Sequence, residues 1–240
     1  MGGELAERQW RSWWATLLDL VLPAECAGCG RTGTGTVTEG LCSTCAIALS
    51  GAPVPVRRAR RLAGLPPVYA LAPYREPVAD IIVAQKEHNR LDLARPLGRR
   101  LARAVLAACP GAAVVWLVPA PSARSSIRRR GQDPVRRMAC AAAGELRALG
   151  HTANVLPALR HQRRVADQVG LTHQERAQNL KDALVVRPAA VSRLVQRPAV
   201  LIDDVTTSGA TLAEAARAIR AAGGRPVGAA VLAATGFSGH

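Results

Sequence analysis

The sequence is poor in aromatic residues: four tryptophans, two tyrosines and one phenylalanine make up 3% of its 240 positions. So few rings leave few platforms on which single-stranded bases could stack. Lysine is scarcer still, occurring only at Lys86 and Lys181, so nearly every cation is an arginine. Acidic residues are also few, with 17 Asp and Glu against 32 Lys and Arg, a net charge of +15. No stretch of 18 or more residues reads as a membrane-spanning helix, because the least charged one, Ala104 to Pro121, is broken by Cys109-Pro110-Gly111. The first residues do not read as a secretory leader, since Glu4, Glu7, Arg8 and Arg11 precede an apolar stretch interrupted by Asp19. A cytoplasmic protein without a transmembrane segment is the expectation.

What is present is a globular composition, 49% hydrophobic and 20% charged, which excludes wholesale disorder and lets the chain bury a core. The length suits one medium domain with an accessory module, or two small domains. A surplus of +15 attracts phosphates, nucleic acid or anionic lipid, and equally reflects codon usage that favours arginine, so charge alone selects no partner. Trp10, Trp13, Trp14, Leu17 and Val21 recur at helical spacing. They predict a short amphipathic helix that packs on the protein's own body or lies on a membrane surface.

Four cysteines form two knuckles, Cys26-x2-Cys29 and Cys42-x2-Cys45. In a chain read as cytosolic this spacing favours a metal over disulfides, since two knuckles supply the four thiolates that tetrahedral zinc accepts. A redox pair is the other reading. A four-sulfur site has no open coordination position, so its expected role is structural Zn2+ holding an N-terminal module together. Cys109 and Cys140, in apolar surroundings, are expected in the core.

Beyond this module the pattern predicts a boundary and then an alternating fold. Ser50 to Pro67, rich in Pro and Arg, reads as a linker, dividing the chain into residues 1–50, 51–67 and 68–240. Strands are expected at Val68 to Ala72, Ala113 to Val118, Ala199 to Ile202 and Val227 to Ala233. Helices are expected at Pro77 to Gln85, Leu93 to Ala108, Pro134 to Leu149 and Thr211 to Ala222. This alternation predicts an α/β fold, a parallel sheet with helices on both faces, whose ligands lie beyond the carboxyl ends of the strands.

One such strand end is rich in chemistry. Val200-Leu201-Ile202 runs into Asp203-Asp204, and the hydroxyls of Thr206, Thr207, Ser208 and Thr211 surround Gly209 before a helix opens. Free amides at a helix N-terminus, with a glycine for close approach, cradle a phosphate. The paired carboxylates can accept from a vicinal diol or hold the water shell of Mg2+.

This segment resembles the ribose-phosphate signature of type I phosphoribosyltransferases, which bind 5-phosphoribosyl 1-pyrophosphate. With a four-cysteine module before it and a basic middle region, nearly the whole chain is similar to ComF-type competence proteins. The resemblance implies a type I phosphoribosyltransferase fold in which Asp203 and Asp204 contact the ribose hydroxyls. It assigns the 5′-phosphate to Val205, Thr206, Thr207, Ser208, Gly209, Ala210 and Thr211. Val118-Pro119-Ala120-Pro121 with Arg124, Arg130 and Gly131 looks like the family's proline-bracketed strand end and Arg-Gly segment, implying a pyrophosphate clamp, while Gln132-Asp133-Pro134 departs from the usual aromatic, Asn and Gln. Arginine forks suit that clamp, and equally a solvated or nucleic-acid-facing patch. Arg160, Gln168, Leu171, Arg176 and Asn179 match spaced residues of the family's flexible loop, whose second half also reads as a surface helix from Thr172 to Leu184. Tyr74 and Lys86 bracket a short helix as in the family, which implies a catalytic Lys86 beside the pyrophosphate. His88, His151, His161 and His173 have no metal-ligand spacing and read as surface or loop residues.

The implied activity is transfer of the phosphoribosyl group, with Mg2+, to a nitrogen acceptor. The acceptor pocket is expected between the loop after Asp204 and the end of the last strand near Ala233 and Thr235. A different expectation is a non-catalytic accessory of DNA uptake, binding single-stranded DNA or a helicase-like partner through Arg57-Arg58-x-Arg60-Arg61 and Arg128 to Arg130. A phosphoribosyl-ligand-sensing regulator is a third, though no helix-turn-helix is evident.

Overall fold

The computed structural model describes residues 25–32, 37–57, 62–111, 114–122, 124–162, 182–195 and 197–237. The expected tryptophan helix, Arg58, Arg60 and Arg61, and Gln168, Leu171, Arg176 and Asn179 lie outside them.

Each apolar run identified in the sequence becomes a strand of one central sheet. These strands are β4 (Val68–Pro73), β5 (Val114–Pro119), β9 (Pro198–Ile202) and β11 (Arg225–Ala234). Together with β3 (Val54–Pro55) and β6 (Thr152–Val155) they lie in the order β3-β4-β11-β9-β5-β6, with β10 (Val205–Thr206) pairing β11 off that path. Every pairing is parallel except β3 with β4. Parallel strands buried on both faces read as continuous apolar runs, and alternate residues then divide between two cores. In β9, Val200 and Ile202 enter one apolar cluster, whereas Ala199 and Leu201 enter the other.

Helices cover both faces. α2 (Val78–Glu87), α3 (Ala94–Ala108) and α5 (Pro134–Ala148) pack on the first, α6 (Pro188–Leu194) and α7 (Ala210–Ala221) on the second. The start of α5 is fixed by Asp133, whose carboxylate accepts from the Arg136 N–H, with Pro134 following in the first turn. Past its end, Gly150 takes φ +86°, as a left-handed residue beyond a helix C-terminus requires. α3 and α5 cross at Gly98, where a Cβ would stand 2.6 Å from the Met138 carbonyl oxygen.

The cysteine segment is built from the hairpin β1 (Val37–Thr38) and β2 (Leu41–Cys42) and the short helix α1 (Ser43–Ile47). Cys26, Leu41, Cys42, Cys45 and Leu49 share the apolar cluster of Ile81, Leu97 and Leu101, so the segment sits on α2 and α3. Arginines fasten its rim. Arg90 Nη1 donates to the Glu25 carbonyl at 3.1 Å, Arg99 pairs with Glu39 at 2.9 Å, and Arg103 donates to the Ser50 carbonyl at 2.8 Å.

Four expectations change. The stretch expected to be only a linker contributes β3, an antiparallel edge strand, and Pro55 is tolerated there because an edge strand leaves one side of its backbone unpaired. Residues Thr152–Val155, too polar and short to stand out, form the edge strand β6. A separate hairpin joins β7 (Leu159–His161) to β8 (Leu184–Val186), which places Leu184 in a strand and His161 in another, half-buried. Cys140 is exposed on α5 and Cys109 is half-buried, so only the latter contacts the core.

Candidate functional site

β9 ends at Ile202, and the chain stays anchored to β11 for several residues more. The Asp203 N–H donates to Ala230 O at 3.2 Å, and the Leu232 N–H to Asp204 O at 3.0 Å. The pairing of Val205–Thr206 with Ala233–Ala234 holds both carboxylates at the carboxyl edge of the sheet. Backbone amides brace them: Asp203 Oδ1 accepts from the Asp204 N–H at 3.0 Å, and Asp204 Oδ1 from the Val205 N–H at 2.6 Å. Burial and the adjacent Asp204 charge push Asp203 up to about 7.

The loop then turns through Gly209, whose φ of +79° suits only glycine without strain, into α7. Ser208 Oγ accepts from the Ala210 N–H at 3.3 Å. Amides of a first helical turn have no intrahelical acceptor, so this loop and α7 offer the N–H groups and partial positive charge that a phosphate needs. Thr206 is buried against the sheet. Thr235 Oγ1 donates to the Thr207 carbonyl at 3.0 Å, tying the loop to the end of β11.

Lys86 reaches this edge from the last turn of α2. Its Nζ lies 2.7 Å from Asp204 Oδ2, whose side chain is 1% exposed against 32% for the lysine. Burial opposes the ammonium charge, but Asp204 and then Asp203 outweigh it and hold Lys86 above its ordinary value. Arg130, at the end of α4 (Arg124–Arg130), donates to the Lys86 carbonyl at 2.8 Å and to Glu87 Oε1 at 3.0 Å. Gln132 Nε2 donates to Asn89 Oδ1 alongside. The structure thus brings Lys86 to Asp204 and Arg130 to the Lys86 carbonyl, contacts of which sequence spacing gives no indication, while Gly131 lines a cleft nearby in the chain's fold. Arg124 opens α4.

A cleft of about 700 Å³ opens beyond the carboxyl end of β5. It lies between Pro119 to Ser122, the start of α5 and the β7–β8 hairpin, and none of residues 203–211 lines it. Arg160, expected in a flexible loop, stands in β7 and lines this cleft.

Sulfur atoms of Cys26, Cys29, Cys42 and Cys45 all lie within 4.8 Å of one another. Cys29 and Cys42 Sγ are 3.7 Å apart, against about 3.8 Å for the edge of a tetrahedron with Zn–S bonds of about 2.3 Å. Burial disfavours a Cys26 thiolate, but N–H groups of Cys42, Gly28 and Cys29 outweigh it and lower Cys26 to about 6. The Cys42 N–H donates to Cys26 Sγ at 3.2 Å. Burial and the neighbouring sulfurs push Cys45 up instead. Gly28 is required, since a Cβ there would stand 2.9 Å from Cys45 Sγ. This four-cysteine group can bind a structural metal such as zinc.

No family model and no curated protein matches the chain. Among solved structures, the crystal structure of TT1426 from Thermus thermophilus is similar at 18% identity, covering 61% of this chain and 85% of that one, with a TM-score of 0.30. The mixed α/β architecture with its mostly parallel sheet therefore stands on this chain's own strand pairing, and no helix among the described residues is long and apolar enough to cross a membrane.

Proposed function

We propose that this chain has the type I phosphoribosyltransferase fold of the ComF-type proteins, binds 5-phosphoribosyl 1-pyrophosphate with Mg2+, and transfers its phosphoribosyl group to a nitrogen acceptor. The observation that carries this reading is the buried Asp204 held at 2.7 Å by Lys86, at a strand end that leads through Gly209 into α7. Asp203 and Asp204 accept hydrogen bonds from the ribose diol. The 207–211 loop and the first turn of α7 hold the 5′-phosphate. Lys86 lies beside the pyrophosphate, with Arg130 next to it to neutralise charge. Mg2+ supplies further charge neutralisation on the pyrophosphate.

In the transfer, a lone pair on the acceptor nitrogen forms the bond to C1 of the ribose. The C1–O bond to pyrophosphate breaks and its electron pair leaves with pyrophosphate, while the acceptor's N–H proton passes to solvent. Zinc on the four thiolates is the structural metal of this reading.

Titration of 5-phosphoribosyl 1-pyrophosphate with Mg2+ into the full chain tests it. Wild type should bind, and the combined Asp203→Ala and Asp204→Ala variant should not. Equal binding by both would overturn the site, and a screen of nucleobases and amines for pyrophosphate release would establish transfer and its acceptor.

A further inference from the structure

The cysteine segment carries a groove of its own, of about 610 Å³, between the β1–β2 hairpin, α1 and the first turns of α3. Leu41, Cys42, Ala46 and Pro96 give it an apolar lining. Ile47, one turn on from Ser43 and Thr44 of that lining, is 69% exposed and continues the apolar surface along α1. Arg31 and Arg100 border the groove, and neither bonds to a carboxylate among the described residues; Arg100 Nη1 donates only to the Pro96 carbonyl of its own helix, at 3.0 Å. The one acid in the lining, Glu39, is already paired with Arg99. A groove with an apolar floor and unpaired cations at its rim is a surface made to be covered.

Three observations select what covers it. The first concerns attachment: the described body begins at Glu25, whose backbone pairs with Thr32 of the groove's lining, and Arg90 holds the Glu25 carbonyl in place. Residues 1–24 therefore join the body beside the groove, with only Leu22, Pro23 and Ala24 between Glu25 and the apolar pattern of the preceding sequence. Second, that pattern, Trp10, Trp13, Trp14, Leu17 and Val21 at helical spacing, gathers three large aromatic residues on one face, and such a face is stable in water only when buried. Third, the segment holds three carboxylates, Glu4, Glu7 and Asp19, against two arginines, Arg8 and Arg11, so it opposes the surplus positive charge of the rest of the chain. Helices that lie on anionic lipid are rich in Lys and Arg on their polar face, which this one is not. Indole rings also pack well over guanidinium groups, and Arg31 and Arg100 supply two.

We propose that the tryptophan face of residues 10–21 docks in the groove of the cysteine segment of the same chain, its rings on Leu41, Ala46 and Pro96 and against Arg31 and Arg100. Because Cys42 lines the groove, the docked segment also covers one flank of the four-cysteine group. The interaction does not depend on the phosphoribosyl reading.

Tryptophan fluorescence of the full chain carrying Trp116→Phe tests the proposal, since the three remaining tryptophans then all lie in residues 10–14. Trp116 is half-buried and its indole N–H has no partner, so the substitution breaks no hydrogen bond. Emission should be blue-shifted and poorly quenched by acrylamide relative to the urea-unfolded chain, at every protein concentration. Ala46→Lys, which puts a charge into the groove, should shift the emission to the red and raise the quenching constant toward the unfolded value. Arg31→Glu, at an exposed position, is a second variant that keeps the fold and should move both readings the same way; Leu149→Lys, at an exposed position just past α5, should move neither. Hydrogen exchange on the chain with Trp116 intact gives an independent measurement: residues 10–21 should be protected, and Ala46→Lys should remove that protection. Emission equal to that of the unfolded chain while circular dichroism shows a folded protein would overturn the proposal, as would emission and protection indifferent to both groove variants. A groove-dependent blue shift that grows with concentration, with a doubled mass in light scattering, would overturn it by placing the segment in the groove of a second copy. A further blue shift on phosphatidylglycerol vesicles, insensitive to Ala46→Lys, would overturn it in favour of a membrane surface.

Discussion

Replacing Lys86 by Met keeps most of the side-chain volume and removes one charge. It leaves Asp204, 1% exposed, without the ammonium at 2.7 Å and with the Asp203 carboxyl beside it. Breaking a fully buried ion pair from one side costs about 3–5 kcal/mol. Lys86 is 32% exposed, so solvent screens the pair and about 2 kcal/mol is the expected loss at pH 8. For a chain of this size that is a fall of about 4–8 °C in Tm. The loss should shrink as the pH falls, because Asp203 already stands at about 7 with the Lys86 charge holding it down, and removing that charge pushes it higher still, so that protonation relieves the stranded charge. Asp204→Asn added to Lys86→Met should restore much of the stability, since the amide needs no counter-ion. Thermal unfolding of wild type and both variants from pH 5 to 9 measures each arm. A Lys86→Met variant as stable as wild type at pH 8, or a loss independent of pH, would refute the account of this pair.

Asp203 titrates near 7 when folded and near 3.8 in its ordinary state, so its contribution to stability is present at low pH and is lost as the pH rises from about 4 to about 7. Asp203→Asn should therefore match wild type below pH 4 and exceed its Tm above pH 7, while weakening sugar-phosphate binding; thermal scans across pH check the sign. Stripping the cysteine group with a chelator should lower Tm and make Cys26, Cys29, Cys42 and Cys45 reactive to a thiol reagent, with zinc measured by elemental analysis before and after. Gly98→Val should destabilise by about 2–3 kcal/mol in urea unfolding, because the added atoms meet α5 backbone at the α3–α5 crossing.

The strands and helices of the central sheet were legible because each carries a local sign: continuous apolar runs such as Val200 to Ile202, the Asp133-Pro134 start of α5, the Gly150 stop. β6 and the β7–β8 hairpin were not, since Thr152–Val155 and Leu159–His161 are short and take their form from neighbours remote in sequence. The Asp203-Asp204 loop announces itself through its composition. The Lys86–Asp204 pair does not, because it joins residues on α2 and beyond β9 that only the sheet brings together. The cleft beyond β5 carries no local sign for the same reason: Arg95, Arg136, Arg137, Arg160 and Arg187 reach it from α3, α5, β7 and the residue before α6, and no single segment concentrates them.

Gly28 touches both Cys45 and Ile81, so the cysteine group and α2 share one packed boundary, and Ile81 is one and a half turns before Lys86 on the same helix. The described cysteine segment, residues 25–32 and 37–50, therefore acts as a cover for the core rather than as an appendage on a tether. Heat should melt both parts in a single cooperative transition. A chain shortened to begin after residue 50 would expose the apolar flank of α2 and α3 and would be expected to aggregate before it could be assayed.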